Sequence, residues 1–526
     1  MTARRLIIYG LAVLASLALP LQAIIDPSIE NIACACLVLA SSLMVLIYIG
    51  CTDALKTQPL STFSIFGFCV TTQLSALLFQ TASWKPVSAS LYDGMYTFGT
   101  LAFYQAIAIG VHAAYCFFKR PRPEGVHLVR GVLAWAGLYL TPSCRVLWLF
   151  GAIGLASYAV YVNEGLLASP LGKVGLAINF LSWAPFLIPS YRLEFGDSYC
   201  NWGRTRLWLV AYTAILVGLG VALNARVVMF FGVITVGLLY LLAGMRDDNP
   251  LPGRSVLRMG AIAAVAIVLA APMSNLTTSM AIARRFGPAP ILTKIERIID
   301  VWQRPELIRA YRAEQVDAQR AKSYDEYYVA NPIAARFVLT KYVDNSLHFG
   351  SLIVSEDAKS RLWNVSVKFL WAALPGPVLK TFGVPVDKDE LNFSMGDYLS
   401  YLSHGDELGG HRMGVMFGQG NALLGPLLPF LFAVICLVMY GLMDLLTIKH
   451  ATGLSTISAL GMLQIWRFFN GGLMYEGLHS VFDFVIRNFW QIALIYVLVQ
   501  SFARIVLPRN NWIGQTPSAP TWQGSP

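Results

Sequence analysis

The residues best suited to chemistry stand in a glycine-rich segment from Ser403 to Gly414 (SHGDELGGHRMG), directly before an apolar run. His411 is the candidate general base, because histidine is the side chain whose unperturbed pKa lies nearest neutrality. Arg412 beside it can stabilise developing negative charge. We predict that His411 and Arg412 are catalytic residues at the surface of a membrane.

The same segment contains other side chains of metal-binding types. His404, Asp406 and Glu407 could join His411 as ligands of a metal ion. Their spacing in a flexible glycine-rich loop matches no strong metal signature, and His404 can equally be an ordinary loop histidine. We therefore expect neither a metal nor a cofactor in this site.

A further candidate is Arg226, which stands between two apolar runs in the sequence LNARVV (223–228). Charged side chains at a membrane edge are costly and mark functional sites. A guanidinium can bind a phosphate through two parallel hydrogen bonds, which the ammonium of Lys cannot do. The alternative is an arginine that extends from a helix end to the membrane surface. We predict that Arg226 is catalytic.

Three more arginines form a basic set with Arg226. Arg284 and Arg285 directly follow an apolar run, and Arg336 lies further along the polar stretch. Adjacent arginines just outside a bilayer can bind a diphosphate, or they can contact lipid headgroups. We predict that Arg284, Arg285 and Arg336 bind the diphosphate of a substrate.

The composition places these residues in a membrane protein. The chain has 526 residues, of which 56% are hydrophobic and 13% charged, whereas soluble domains carry about 25% charged residues. The net charge of +10 lies mostly in short loops between apolar runs, so it reports membrane topology and does not indicate nucleic-acid binding. The eight cysteines all fall in apolar runs or short connections, which excludes a disulfide framework in the long polar stretch.

Apolar runs of about 20 residues predict an all-α polytopic membrane protein with about twelve transmembrane helices. The predicted regions are a membrane domain with nine helices (1–275), a large, mainly helical loop (276–420), a membrane domain with three helices (421–503) and a tail (504–526). The predicted spans are 5–25, 31–51, 61–81, 94–118, 144–163, 170–189, 207–224, 227–244, 257–275, 421–447, 453–470 and 482–503.

Lys and Arg in the short loops predict the orientation. Basic connections alternate with nearly bare ones, and the basic set faces the cytoplasm. Both termini are then cytoplasmic, and the 276–420 loop lies on the outer side, which is the periplasm in a bacterium. The basic set includes Arg4, Arg5, Lys56, Lys119, Arg120, Arg192, Arg246, Lys449 and Arg504.

The large loop contains its own helical patterns. Ile291, Ile295 and Ile298 recur at helical spacing, and Pro305 marks a break or the start of a second helix, which continues to about Lys322. Residues 361–375 are apolar but too few to span a bilayer, which predicts a helix lying on the membrane surface.

Three features resemble the Wzy-type polysaccharide polymerases and the related O-antigen ligases. The sequence NAR (224–226) before an apolar helix resembles the family's arginine-containing turn between two spans. A single large outer loop precedes the last helices, as in the family. The stretch HRMGVMFGQGNALLG (411–425) resembles the family's histidine-containing loop end, which runs through Asn and Gly into the next helix. The chain differs in having Gly418-Gln419 where many polymerases have Gly-Glu, and in lacking the ligases' His-x-His-Asn.

The resemblance implies a GT-C-like architecture and metal-independent glycosyl transfer at the outer face of the bacterial inner membrane. The donor would be a growing glycan on undecaprenyl diphosphate, and the acceptor a repeat unit on the same carrier. Arg226 with Arg284 or Arg285 would hold the diphosphate, and His411 would take the proton from the acceptor hydroxyl. The implied partners are the lipid-linked oligosaccharide, membrane lipid, a co-polymerase or chain-length regulator and a flippase, with no nucleic acid.

Other functions remain open at this point. A ligase would move the glycan to a different acceptor. A polyprenyl-phosphate-sugar GT-C glycosyltransferase would use Asp26 and Glu30 of the first outer loop, although carboxylates that cap the second helix explain these residues as well. A flippase or transporter would carry internal repeats and polar residues near mid-membrane, whereas this chain has one large loop and no visible repeat.

Overall fold

The protein is an all-α membrane protein in this computed structural model. The structure describes residues 2–118, 127–159, 170–223, 225–248, 272–287, 290–320, 325–329, 331, 334–374, 376–384, 386–450, 453–507 and 512–513. Two pairs of short antiparallel strands accompany the helices: Thr141–Pro142 with Trp512–Ile513, and Thr447–Lys449 with Ser455–Ile457.

Nine helices among the described residues are long and apolar enough to cross a membrane. An α-helix satisfies its backbone N–H and C=O groups internally, as a lipid environment requires. Large apolar side chains such as Val13, Leu17 and Phe430 are exposed on these helices, which suits contact with lipid tails. The nine are Ala3–Ile25, Ile29–Cys51, Pro59–Ala82, Gly94–Phe118, Gly172–Phe195, Trp202–Ala222, Val228–Arg246, Met416–Leu445 and Leu478–Val506.

These nine helices coincide with nine of the twelve predicted spans. The predicted span 144–163 contains a shorter helix, Cys144–Ser157, and its end lies outside the described residues. Most of the predicted span 257–275 also lies outside the described residues, and 272–284 is helical.

The predicted span 453–470 is not a single helix. The strand Ser455–Ile457 is followed by two five-residue helices, Ala459–Leu463 and Ile465–Phe469, and then by a turn at Gly471 and Gly472. Both glycines have positive φ values of 73° and 57°, which residues with a Cβ rarely adopt. We call residues 455–472 the broken segment. Apolar content alone could not distinguish it from a spanning helix. Non-helical backbone can occur at membrane depth where it is buried within protein.

Other irregular helices occur in the interior. Val70–Leu74 and Phe484–Asn488 are π-helical turns, and Asn179–Leu187 is a 3-10 helix of nine residues, an unusual length. The Gly471 N–H donates a 3.0 Å hydrogen bond to Thr71 Oγ1, which joins the broken segment to the first π-turn. Because π-turns occur frequently at functional sites, this interior is where a site is expected.

Polar contacts identify two ends of the helix bundle. At the terminus end, Arg4 donates a 2.7 Å hydrogen bond to the Thr52 carbonyl and pairs with Asp248 at 3.5 Å. At the opposite end, which we call the loop end, the helices Ala3–Ile25 and Pro59–Ala82 finish, and the Gln22 amide donates to Thr81 Oγ1 at 2.8 Å. Successive helices among the first four run in opposite directions between these two ends, so neighbours are antiparallel.

The described part of the polar stretch is mainly helical. The predicted helices near Ile291 and after Pro305 are confirmed, and a helix from Glu356 to Ala372 covers most of the predicted apolar stretch 361–375. The helices are Ile291–Trp302, Pro305–Arg320, Ala334–Phe337 (3-10), Thr340–Ser351, Glu356–Ala372, Gly376–Thr381, Asp389–Leu391 (3-10) and Met395–His404.

Several remaining helices are short or form parts of the longer spans. They are Ala54–Thr57, Pro59–Cys69, Ser75–Ala82, His127–Trp135, Pro170–Ile178, Ile188–Phe195, Asp197–Tyr199 (3-10), Arg226–Arg246, Met416–Leu424, Gly425–Leu427 (3-10), Leu428–Leu445, Leu478–Asp483 and Phe489–Val506.

Candidate active site

Residues 411–415, which include the predicted catalytic residues His411 and Arg412, have no regular secondary structure. They lie against the start of the helix Met395–His404. Glycine is required at Gly414, because a Cβ there would lie 2.6 Å from the Gly396 nitrogen and 2.9 Å from the Glu476 carbonyl oxygen. The glycine-rich sequence therefore lets the segment pass between this helix and Glu476.

A buried carboxylate holds the segment in place. Asp397 accepts hydrogen bonds from the backbone N–H groups of His411 (2.8 Å) and Arg412 (3.1 Å). It also forms a capping box with Ser394 at the start of its own helix. Burial raises the pKa of Asp397, but the hydrogen bonds that it accepts lower the pKa by more, so the net value is below the ordinary one. The carboxylate is therefore ionised at neutral pH.

His411 has an unusual backbone conformation. Its φ of 49° lies in the left-handed region, which residues with a Cβ adopt rarely. Such a conformation costs about 1–3 kcal/mol and is found preferentially at functional sites. The hydrogen bond to Asp397 stabilises it, and the residue is exposed, so a substrate can reach the imidazole.

Arg412 points to a different partner. Its guanidinium donates a 2.9 Å hydrogen bond to Asp406 Oδ2, which also accepts from the Ser400 hydroxyl. Because both charged side chains are only about a fifth exposed, at 23% and 20%, the pair is better protected from solvent than a surface ion pair. The Arg412–Asp406 ion pair thus helps to hold the segment around His411 in place.

A cavity of about 670 Å³ lies beside this segment, between the apolar helices. Small-molecule sites have volumes of about 300–1,000 Å³. The walls of this polar cavity come from the Asn179–Leu187 helix, the Arg226–Arg246 helix, the broken segment and residues 474–492. Its aromatic lining consists of Phe180, Trp183, Phe231, Trp466 and Tyr475. Its polar lining includes Asn179, Gln464, Arg467, Asn470, Glu476, Ser480, Asp483 and Asn488.

Glu476 connects the polar cavity with the predicted base. It lines the cavity, and His411 is close enough to lower its pKa electrostatically. Burial has the largest effect and raises the pKa of Glu476, and the Asp397 carboxylate raises it further. The net pKa is above the ordinary value, so this carboxyl retains its proton to higher pH than an exposed glutamate. Glu476, at the edge of the cavity, is thus electrostatically coupled to His411.

Arg467 is the cation of the polar cavity. It belongs to the second short helix of the broken segment, and its guanidinium lies 4.4 Å from the centre of the Phe484 ring. Within the described ranges, no hydrogen bond or ion pair to this guanidinium is found. The neighbouring carboxylate, Asp483, accepts from the Asn488 amide and lies 3.8 Å from Arg487.

Arg467 and Glu476 are not among the residues predicted from the sequence. A signal for Arg467 was present, because it is a charged residue inside a predicted membrane span. Glu476 carried no comparable signal, since it stands in the short connection between two predicted spans (453–470 and 482–503), where its burial depends on the path of the broken segment.

The structure places each arginine of the predicted basic set on a different element from His411. Arg226 begins the helix Arg226–Arg246, five residues before the cavity residue Phe231, and its side chain is outside the described part of the chain. In the same helix Met229 packs with Met280 and neighbouring residues, so the start of this helix lies near the 272–284 segment.

Arg285 has an acidic partner. Its guanidinium donates to both carboxylate oxygens of Glu314, at 3.0 and 2.8 Å, and lies 4.6 Å from the centre of the Tyr311 ring. Arg284 beside it is exposed. Arg336 is exposed on the Ala334–Phe337 helix, where its neighbour Phe337 packs against Trp466 at 5.4 Å between ring centres. Arg336 therefore lies nearer the polar cavity than sequence position suggests.

The alternative metal ligands do not converge. His404 packs against Phe349, with ring centres 5.2 Å apart, and against His348, whereas Asp406 pairs with Arg412. Among the residues that the structure describes, no group of three or more His, Cys, Asp or Glu side chains is arranged to hold a metal ion.

Two other residues noted in the sequence have structural partners. Asp26 accepts hydrogen bonds from the Ser28 N–H and hydroxyl, and Ser28 in turn caps the helix that contains Glu30 in its first turn. Gln419, which departs from the family pattern, is fully buried; it donates to Ser366 Oγ at 2.7 Å and accepts from the Leu478 N–H at 2.8 Å. Both observations favour capping and packing at these positions.

Comparison of the chain with family models, with curated proteins and with solved structures finds no match.

Proposed function

We propose that the protein is a glycosyltransferase of the bacterial inner membrane that polymerises undecaprenyl-diphosphate-linked oligosaccharide repeat units into a surface or exported polysaccharide. The observation that carries this proposal is the polar cavity between apolar helices, with Glu476 in its wall and the constrained His411 beside it.

The lining of the polar cavity suits a carbohydrate. An aromatic side chain such as Trp466 offers a flat apolar surface to the C–H face of a sugar ring and also carries a polar N–H. Amide side chains such as Gln464 and Asn470 both donate to and accept from hydroxyl groups. A site within apolar helices also gives a lipid-linked substrate access from the bilayer.

In the proposed reaction, His411 accepts the proton of an acceptor hydroxyl. The hydroxyl oxygen then forms a bond to the anomeric carbon of the donor, and the bond from that carbon to the diphosphate oxygen breaks. The lipid diphosphate leaves as an anion. Glu476 positions or relays the proton, and Asp397 and Arg412 hold the His411 backbone in its strained conformation.

The proposal includes the orientation and partners that the loop charges imply. Both termini would be cytoplasmic and the large polar stretch periplasmic, so the loop end would face the compartment where the polymer forms. The substrates would be supplied by a flippase, and a co-polymerase or chain-length regulator would act on the product.

The test is an assay of purified protein with lipid-diphosphate-linked repeat units. Wild-type protein is expected to give a ladder of longer lipid-linked glycans that a chelator does not change. His411→Ala is expected to lower the rate by about 10²- to 10⁴-fold, the usual contribution of a general base. His404→Ala is the matched control, because His404 is an exposed histidine of the same polar stretch that packs against Phe349. Equal rates in the two histidine variants would remove His411 from the site.

A lipid-linked oligosaccharide flippase or transporter is the second candidate. The broken segment favours it, because transporters commonly bind substrates at discontinuous helices. Vesicles containing the protein and a labelled lipid-linked oligosaccharide separate the two functions. Movement of label across the bilayer without a glycan ladder would replace the transferase by a transporter. Transfer of the glycan to an unrelated acceptor without a ladder would indicate a ligase.

A further inference from the structure

The polar cavity contains a cation that is open to a ligand. Arg467 lines the cavity and contacts the face of the Phe484 ring, and its guanidinium makes no hydrogen bond or ion pair with any residue in the described ranges. The side chain is exposed, so an incoming ligand can reach the guanidinium. The aromatic ring contacts its face and leaves the in-plane N–H groups for another partner.

The acidic residues of the cavity do not supply that partner. Asp483 is engaged by the Asn488 amide and lies next to Arg487, outside ion-pair distance of Arg467. Glu476 lies on the side of the cavity that faces Asp397 and His411. Asp483 therefore acts on Arg467 only electrostatically, without an ion pair, and an acceptor for the guanidinium N–H groups must come from outside the described side chains.

Two further polar atoms of the cavity wall lack partners. The Trp183 indole Nε1 and the Asn470 Oδ1 are buried, and neither has a hydrogen-bond partner among the described residues. The indole N–H can only donate, and the amide oxygen can only accept. A ligand that satisfies both must carry an acceptor oxygen and a hydroxyl or other donor.

The geometry points to a phosphate-type anion bound by Arg467, within a ligand that also carries hydroxyl groups: a phosphorylated or diphosphorylated carbohydrate. The planar guanidinium binds two phosphate oxygens at once, which makes it the preferred side chain for such a group. This role differs from the one predicted for Arg284 and Arg285, because Arg285 already has Glu314 as its anion.

Two chemical sources can supply this anion. One is an isoprenoid-linked diphosphate from the bilayer, and the other is a soluble phosphorylated sugar. The site is needed equally by a transferase and by a transporter. Binding is measured without turnover, so the two experiments are independent. A failure to detect the anion site would not change the result of the glycan-ladder assay. A failure of that assay would not exclude the anion site.

The experiment measures dissociation constants of the purified full-length protein for inorganic pyrophosphate, farnesyl diphosphate and a soluble sugar phosphate. Arg467→Gln removes the charge with little change of size, and Arg467→Lys keeps the charge but loses the two-pronged geometry. Arg361→Gln is the control, because Arg361 is an exposed arginine that pairs with Asp357 on the surface of its helix. Thermal unfolding of each variant in parallel reports whether it is folded.

Arg467→Gln is expected to weaken pyrophosphate binding about 10- to 100-fold, as for the loss of a charge-assisted bidentate contact, with Arg467→Lys intermediate and Arg361→Gln unchanged. Tighter binding of farnesyl diphosphate than of the sugar phosphate would identify the lipid carrier as the source, and the reverse order the soluble one. Equal affinity of the wild-type and folded Arg467→Gln proteins would overturn the site. So would equal losses in Arg467→Gln and Arg361→Gln. If Arg467→Gln does not fold, the affinity of Arg467→Lys decides in the same way.

Discussion

Two groups of ionisable side chains in this protein have very different surroundings. Asp344 and Asp397, in the polar stretch, are buried and surrounded by hydrogen-bond donors. Arg467 and Glu476 line the polar cavity, where Arg467 is exposed and forms no ion pair within the described residues. The first group fixes the backbone around it, and Arg467 in the second group is open to a ligand.

Asp344 is a buried carboxylate whose oxygens accept several hydrogen bonds from the protein. Its carboxylate accepts from the Tyr92 N–H at 2.9 and 3.0 Å, from the Thr97 hydroxyl at 3.1 Å and from Lys341 Nζ at 2.8 Å. The Lys341 ammonium also lies 4.2 Å from the centre of the Tyr92 ring. This ion pair is almost completely buried, at 4% and 1% exposure, and joins the Thr340–Ser351 helix to the start of the Gly94–Phe118 helix.

The contrast teaches that a charged side chain in an apolar setting does not by itself identify a functional site in a membrane protein. The informative feature is whether the protein itself supplies the partners. Asp344 and Asp397 have them within the fold, whereas Arg467 has an aromatic ring and a cavity. Substitutions in the two groups should therefore change stability in opposite directions.

The largest loss of stability is expected for Asp344→Ala. Removing one member of a buried pair leaves Lys341 uncompensated, which costs about 3–5 kcal/mol in free energy of unfolding. Denaturation in detergent, followed by tryptophan fluorescence, measures this cost. Asp357→Ala is the control, since Asp357 is exposed and pairs with Arg361 on one helix, where about 0–1 kcal/mol is expected. Similar small losses in both variants would contradict the structural role of Asp344.

Asp397→Asn is expected to lose about 1–3 kcal/mol, because the amide keeps the size of the side chain but cannot accept all the N–H groups of the carboxylate. Hydrogen exchange should become faster at the N–H groups of His411 and Arg412. Asp300→Asn, at an exposed carboxylate that pairs with Arg304, should leave this exchange unchanged.

The pH dependence of Asp397 has a definite sign. Its folded-state pKa is below the ordinary value of about 3.9. The stability that it contributes is therefore present above pH about 3.9 and is lost as the pH falls through the folded-state pKa. Asp397→Asn should lack this acid-dependent loss, and an identical acid profile in both proteins would argue against an ionised Asp397.

Arg467→Met is expected to behave in the opposite way. Since Arg467 is exposed and forms no ion pair within the described residues, the variant should be as stable as the wild type or more stable by up to about 1 kcal/mol, while glycan transfer is lost. Unfolding and transfer are measured on the same preparation. A large loss of stability would show that Arg467 has a structural partner and would abolish the contrast between the two groups.

Glu476→Gln should give the smallest change. The folded-state pKa of Glu476 is raised, so the wild type loses stability as the pH rises from the ordinary value of about 4.3 through the folded-state pKa. The glutamine variant should show a flatter profile over this interval, because it has no proton to lose. Parallel stability profiles for the two proteins would mean that the carboxyl is not kept neutral by burial.

Much of the membrane architecture followed from the sequence, because lipid imposes a simple requirement. Spans such as Ala3–Ile25 and Ile29–Cys51 need about 20 apolar residues with internally satisfied backbones, and both are visible as apolar runs. The broken segment escaped the same rule. Its strand and two short helices are held by hydrogen bonds and packing with other elements, which depend on the tertiary structure.

The candidate site was predictable in part. His411 and Arg412 stood out by residue type and by the glycines around them, but their anchor Asp397 acts on backbone N–H groups fourteen and fifteen residues away and leaves no pattern in sequence. The role predicted for Arg285 could not anticipate Glu314, which reaches it from another helix. Arg467 was detectable as a charge within an apolar run, whereas its lack of an anion required the structure.

The most direct test of the proposed transferase site is photo-crosslinking with a lipid-diphosphate-linked repeat unit that carries a diazirine on its first sugar. If the sugar occupies the polar cavity, labelled peptides should come from residues 459–480 and from the segment around His411, and unlabelled substrate should compete. Labelling confined to the exposed helices that carry Arg285 and Glu314, with none at the cavity peptides, would contradict the account.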